Sequence, residues 1–129
     1  MRFLFVKTAR LLALMFGLVV LSQSGIAADV VRGKDLSQTH CARCHVVGDF
    51  NPSGGISSTP SFQLLAKRRP DFRDRFLTFY ARRPHPAFVI VKGIERLMPD
   101  LPVNAEPVTL SLEDVDAIVA FVETLKPQP

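Results

Sequence analysis

Cysteine is scarce in this chain of 129 residues: there are two, three positions apart, and no third. One disulfide is therefore the most the sequence could form, even in an oxidising compartment. A thioredoxin-like redox pair normally lies near a βαβ pattern, and no alternation of strands and helices is visible. A zinc site needs further Cys or His ligands at suitable spacing, which His40 and His85 do not supply. No internal repeat is present. No nucleophile–base pair and no pair of acids stands out, so bond-making catalysis is not expected.

A strong charge of either sign is also missing once the N-terminus is set aside. Lys and Arg number 16 against 12 Asp and Glu, but Arg2, Lys7 and Arg10 precede an apolar run, Leu11 to Leu21. Small residues from Ser22 to Ala28 follow before the first acid, Asp29. That order is the pattern of a secretory signal peptide, and the run is shorter than the roughly 20 residues that span a bilayer. Residues 1–28 are expected to be a leader cleaved near Ala27 or Ala28, an uncleaved anchor being the alternative. Residues 29–129 then form one domain of charge about +1, which gives no warrant for nucleic-acid binding. The location implied is the periplasm.

What the chain does have is Cys41-Ala42-Arg43-Cys44-His45. C-x-x-C-H is the attachment signature of a c-type haem: two thiols positioned for thioethers to the porphyrin vinyls, and an imidazole as proximal iron ligand. With no second copy of the motif, at most one covalent haem c is expected. Met1 and Met15 belong to the leader, so Met98 is the one methionine of the mature domain. It lies in a proline-punctuated loop and is the candidate for the opposite axial position; His85, between Pro84 and Pro86, is the competitor.

Around the motif the pattern is helical. Residues 29–40 read as a first helix with apolar Val30, Val31 and Leu36, and with Gly33 suited to close approach of another helix. Residues 46–58 are rich in Gly, Pro, Ser and Asn and form a loop. Thr59 and Pro60 look like the N-cap and first position of a second helix. Phe72, Phe76, Leu77, Phe79 and Tyr80 mark a third at helical spacing. The β-branched run Ala87–Val91 could be a strand but has no evident partner, so an irregular buried segment is expected. Ser111 and Asp114 form a capping box for a last helix with the stripe Val115, Ile118, Val119, Val122 and Leu125, flanked by Phe121. That narrow stripe should pack on one neighbour, the first helix. Basic residues crowd 67–83 and acidic residues follow Glu95, a polarity able to steer a partner.

Gly33 and Leu36, the Cys41–His45 motif, Thr59-Pro60-Ser61-Phe62, Met98-Pro99 and the Leu112–Leu125 helix with Phe121 together resemble a small class I monohaem cytochrome c of the exported bacterial kind. The resemblance covers the whole mature chain. It implies an all-α fold with the N- and C-terminal helices crossed near Gly33 and Phe121 around a covalent haem. It also implies His45 and Met98 as iron ligands, and a backbone carbonyl near Pro60, or else Pro52, bonded to the free nitrogen of His45. The function implied is one-electron transfer between redox partner proteins, as a soluble carrier or a subunit of a larger complex. A haem sensor, ligand-binding protein or peroxidase with an open sixth position is the alternative.

Overall fold

The computed structural model describes residues 26–27, 29–96 and 106–127. Of the expected leader, only Ile26 and Ala27 are described, both helical, and Met98 lies outside the described residues. The described residues from Asp29 onward form four α-helices, two 3-10 turns and one short two-stranded ladder.

Helix α1 runs over residues 29–40, as the sequence suggests. Its buried face, however, is made of Gly33 and Ser37, while Val31 is 61% exposed. The reason is the proximity of the last helix, α4 (Leu112–Glu123). A Cβ placed on Gly33 would fall 1.8 Å from the Ala117 carbonyl oxygen, so only the smallest residues fit the crossing. The residue opposite Gly33 is thus Ala117, about one helical turn before Phe121. Buried Ser37 meets its hydrogen-bonding need within α1, its hydroxyl donating to the Gly33 carbonyl at 2.7 Å.

Helix α4 begins at the expected capping box. The Ser111 hydroxyl accepts from the Asp114 N–H, and the Asp114 carboxylate accepts from the Ser111 N–H. The acid also pairs with Arg32 of α1, tying the helix start to its neighbour. Its apolar face is broader than the sequence stripe. Val115, Ala117, Ile118, Val119, Phe121 and Val122 are all buried, because α4 packs on α2 and α3 as well as α1. The expectation of a single neighbour is corrected accordingly.

Helix α2 spans Phe62–Arg68, and its N-cap is Ser61, whose side chain accepts from the Leu64 N–H. Thr59 and Pro60 therefore precede the helix, which starts two residues later than their pattern suggests. Helix α3 spans Phe72–Leu77 and is followed by a 3-10 turn at Phe79–Ala81, with another at His85–Ala87. Phe62, Phe72 and Phe76 are buried with Val47, Leu110 and the α4 face in one core. Each such ring contributes on the order of 1.5–3 kcal/mol when removed from water. Arg73 pairs with Glu123, and the Lys126 ammonium sits 4.8 Å from the Phe72 ring centre, closing α3 onto the end of α4.

The run ending at Val91 does form a strand. β1 (Val89–Val91) pairs in parallel with β2 (Val108–Leu110), in the register Val89 with Val108 and Val91 with Leu110. The expected irregular segment gives way to this ladder because the three residues before the α4 cap supply a partner. The ladder anchors both ends of the connection 92–107, which carries Met98. No described helix is long and apolar enough to cross a membrane.

Candidate haem site

The Cys41–His45 segment continues directly from α1. Cys41 N–H donates to the Ser37 carbonyl, and the Cys44 and His45 N–H groups both donate to the Cys41 carbonyl. A tight turn results, with Cys41 half-buried and Cys44 exposed, both as free thiols. Burial, with a smaller contribution from Cys44, pushes the Cys41 thiol up to about 12. A thioether has no proton to lose, so this desolvation carries no ionic penalty once the sulfur is linked.

The loop that follows clamps the turn. Asn51 makes three bonds: its Oδ1 accepts from Val47 N–H at 2.8 Å, and its Nδ2 donates to the Ala42 and His45 carbonyls at 2.9 Å each. Ile56 N–H donates to the Cys44 carbonyl, and Phe62 N–H to that of Val46. Gly55 holds φ +75°, and a Cβ there would lie 3.0–3.1 Å from backbone atoms of Cys44, His45 and Val46. Gln63 bonds the N–H and the carbonyl of Gly48 at 3.2 and 3.3 Å. In the sequence Asn51 and Gly55 register only as loop composition, and Gln63 carries no signal at all. No local pattern distinguishes a turn-forming Asn from one that binds three backbone groups.

His45 Nδ1 stands 2.7 Å from the Pro60 carbonyl oxygen. A carbonyl can only accept, so Nδ1 carries the proton and Nε2 keeps its lone pair for a metal. This contact also accounts for the N-cap falling at Ser61. A helix begun at Pro60 would engage that carbonyl in its own first turn, whereas the N-cap at Ser61 leaves it free. Of the two carbonyls anticipated, Pro60 is the one used. The Phe62 ring meets the His45 ring edge-on at 5.4 Å and packs against Phe76 at 4.8 Å, which fixes the imidazole from the core side.

His85 is brought to the same place from the far side of the chain. Its ring lies within 9° of parallel to that of His45, with centres 6.0 Å apart. Its Nδ1 is 2.9 Å from the Arg82 carbonyl, and the Phe79 ring meets it edge-on at 5.3 Å. Burial lowers its pKa from the ordinary imidazole value; the Arg82 carbonyl opposes this and His45 reinforces it. His40, by contrast, is an exposed residue of α1.

Arg96 is a further group that the sequence does not single out. Its Nε and one terminal nitrogen are buried with no hydrogen-bond partner among the described residues. Arg96 lines a small pocket with Tyr80, Pro86 and Val91, next to the 3-10 turn of His85. A guanidinium so placed calls for an anion, and the propionates of a haem are anions of the right kind. Free thiols at Cys41 and Cys44, an oriented His45 and this unpartnered Arg96 are together a donor set that fits a covalently attached haem.

Comparison with known proteins agrees with that chemistry. The family model described as Cytochrome c matches residues 30–126. The chain is 35% identical over 106 residues to a protein named cytochrome c-552 from Bradyrhizobium diazoefficiens, covering 82% of this chain and 84% of the relative. No solved structure matches at a significant level.

Proposed function

The chain belongs to the cytochrome c family, and on that premise we propose a periplasmic one-electron carrier whose covalent haem is held between His45 and Met98. Haem c and electron transfer, rather than enzymatic turnover, come with the family.

The observation that carries the reading is the 2.7 Å contact between His45 Nδ1 and the Pro60 carbonyl. It selects the tautomer with Nε2 as the metal-binding atom and holds the ring against rotation. When bound, the haem would supply an iron that changes between ferric and ferrous states, and Met98 as a ligand beside His45 would raise its potential. The chain's own residues do the rest. Cys41 and Cys44 tether the ring, and Asn51 and Gly55 hold the tether's backbone. Phe62 packs edge-on against the His45 ring and is itself backed by Phe76. Met98 lies in the sequence between β1 and β2, which pair with one another.

Export follows from the leader pattern of residues 1–28, with cleavage near Ala27 or Ala28 and residues 29–129 as the mature domain. Lys67, Arg68, Arg82 and Arg83 are exposed, and among the described residues none of them forms an ion pair. They offer a positive surface for docking an acidic redox partner, weakened by salt.

The test is expression of the full chain with haem-maturation machinery in a bacterial periplasm. The expected product has lost the leader and gained one haem by mass. Its ferric spectrum is low-spin with a methionine–iron charge-transfer band, and Met98→Ala abolishes that band. A high-spin resting ferric protein would overturn the carrier reading in favour of a ligand-binding haem.

A further inference from the structure

Residues 79–96 are the stretch that haem attachment and the helical core leave without a role. They form one packed unit, in which the 3-10 turns Phe79–Ala81 and His85–Ala87 contact each other and β1 contacts both. His85 N–H donates to the Arg82 carbonyl, Phe88 N–H to that of His85, and Ile94 N–H to that of Val91. The inner side of the unit is filled: Pro86 and Val91 are buried, and Val89 packs on the core.

The outer side is left open. Phe88, just before β1, is 43% exposed, and Ile94, just after it, is 39% exposed. Arg82, Arg83 and Lys92 of the same unit are exposed as well. Arg82 donates to the Thr78 hydroxyl at 3.1 Å, and among the described residues none of the three cations forms an ion pair. Glu95 is the one acid between Arg75 and Arg96 in the sequence. Exposed aromatic and aliphatic side chains beside unpaired arginines are the make-up of a protein interface, with an apolar centre and a polar rim. The cations set the sign of the partner, since unpaired positive charge is complemented by carboxylates.

The unit also borders the haem site. His85 belongs to it, and its ring centre lies 6.0 Å from that of His45. A protein seated here comes close to the attachment turn, and electron exchange falls steeply with distance. Lys67 and Arg68 on α2 share their helix with a single exposed large hydrophobic, Leu64.

We propose that this face docks an acidic redox protein, with Phe88 and Ile94 at its apolar centre and Arg82, Arg83 and Lys92 at its rim. This rests on the electron-carrier reading above and names the part of the positive surface that the partner covers.

The test uses the full chain as periplasmic holoprotein. The probe is reduced plant-type ferredoxin, an acidic iron–sulfur protein whose low potential lets it donate to a haem. Mass, spin state and reduction potential are measured first on every variant. A wild type without haem, or with high-spin ferric iron, fails the carrier reading itself and is recognised at this stage. Arg83→Glu with Lys92→Glu, and Lys67→Glu with Arg68→Glu, change the net charge equally, so steering by overall charge affects both alike. At low salt the first pair is expected to slow haem reduction at least about ten-fold, and the second by less than about three-fold. Phe88→Ser with Ile94→Ser is expected to slow it about five-fold, with the salt dependence unaltered. Arg83→Gln with Lys92→Gln should fall between wild type and the reversed pair, and it carries the test if the reversed pair does not take up haem. Equal slowing by the two charge-reversed pairs, or a wild-type rate in Phe88→Ser with Ile94→Ser, overturns the proposal. So do wild-type rates in every variant combined with lost binding to phosphatidylglycerol vesicles, which would make the face a lipid contact.

Discussion

Gly33 and Ala117 meet backbone to backbone. A Cβ on Gly33 would lie 1.8 Å from the Ala117 oxygen, 2.4 Å from its carbonyl carbon and 2.9 Å from the Ile118 nitrogen. No flexible side chain is there to move aside, so a methyl group can be accommodated only by parting α1 from α4. Alanine gains about 1 kcal/mol over glycine in helix propensity, while overpacking of this kind costs typically 1–3 kcal/mol and occasionally more. Because the 1.8 Å approach is to fixed backbone, the cost falls at the top of that range, and Gly33→Ala is expected to be a net destabilisation of roughly 2 kcal/mol, read as a lower denaturant midpoint of the holoprotein. Gly93 is the control, since it has φ +83° and a Cβ added there would meet nothing within 4 Å. Gly93→Ala is expected to cost only the local backbone strain, about 1 kcal/mol.

Asn51 tests how far the haem turn depends on its clamp. In Asn51→Asp the acceptor for Val47 N–H survives, but two donors are replaced by an oxygen facing the Ala42 and His45 carbonyls. Leaving partly buried carbonyls without donors costs on the order of 1–3 kcal/mol. Asn51→Asp is expected to lower stability by about 2 kcal/mol or more, and to reduce the haem-bearing fraction seen by mass. Equal stability of Asn51→Asp and wild type would remove Asn51 from the account of the site.

These two positions show where the sequence is legible and where it is not. Cys41 to His45 is a dense local motif, and the Ser111–Asp114 box and the 29–40 helix are also local, so all three read directly. Ser61 does not read as the cap, because Thr59 and Pro60 satisfy the local start rule equally well. What decides between them is His45, fifteen residues earlier in the chain, holding the Pro60 carbonyl outside the helix. The Val108–Leu110 strand is three residues long and pairs in parallel with a run nineteen residues before it, which leaves no periodicity to detect. Ala117 looks like a break in the α4 stripe, yet it is buried because Gly33 admits it. Asn51 and Arg96 are ordinary residues of a loop until the fold surrounds them.

Acid stability should depend on Asp114. Burial raises its pKa, but the Ser111 backbone N–H and hydroxyl, and then Arg32, outweigh that and hold it below the usual carboxylate value. The unfolded chain therefore takes up this proton at higher pH than the folded one. The stabilisation is present in full above the unfolded carboxylate value, about 3.9, and is lost as pH falls through the lower folded value. Asp114→Asn is expected to narrow the stability difference between neutral and acid solution. Arg32→Ala should do the same more weakly, by under about 1 kcal/mol, since Arg32 is half-exposed. Denaturant midpoints across the pH range check both, and curves for Asp114→Asn and wild type that stay parallel through the acid range would contradict the assignment.

Arg96 should matter to the potential rather than to the fold. Its buried Nε and terminal nitrogen have no acceptor among the described residues, and its pocket adjoins Pro86 and Val91, on either side of the segment leading from His85 into β1. A cation close to the haem disfavours the extra positive charge of the ferric state, and in a low-dielectric setting that preference is strong. Arg96→Leu is therefore expected to lower the reduction potential. If its partner is a haem propionate, the variant should also move the pH at which that propionate titrates upward, because the charged form loses its stabilising cation. Arg96→Lys keeps the charge but not the two-pronged donor geometry, so it should recover most of the potential and only part of the pH effect. Spectroelectrochemical titration of the three holoproteins over a pH series gives both quantities. A potential unchanged in Arg96→Leu at every pH would place the guanidinium away from the haem.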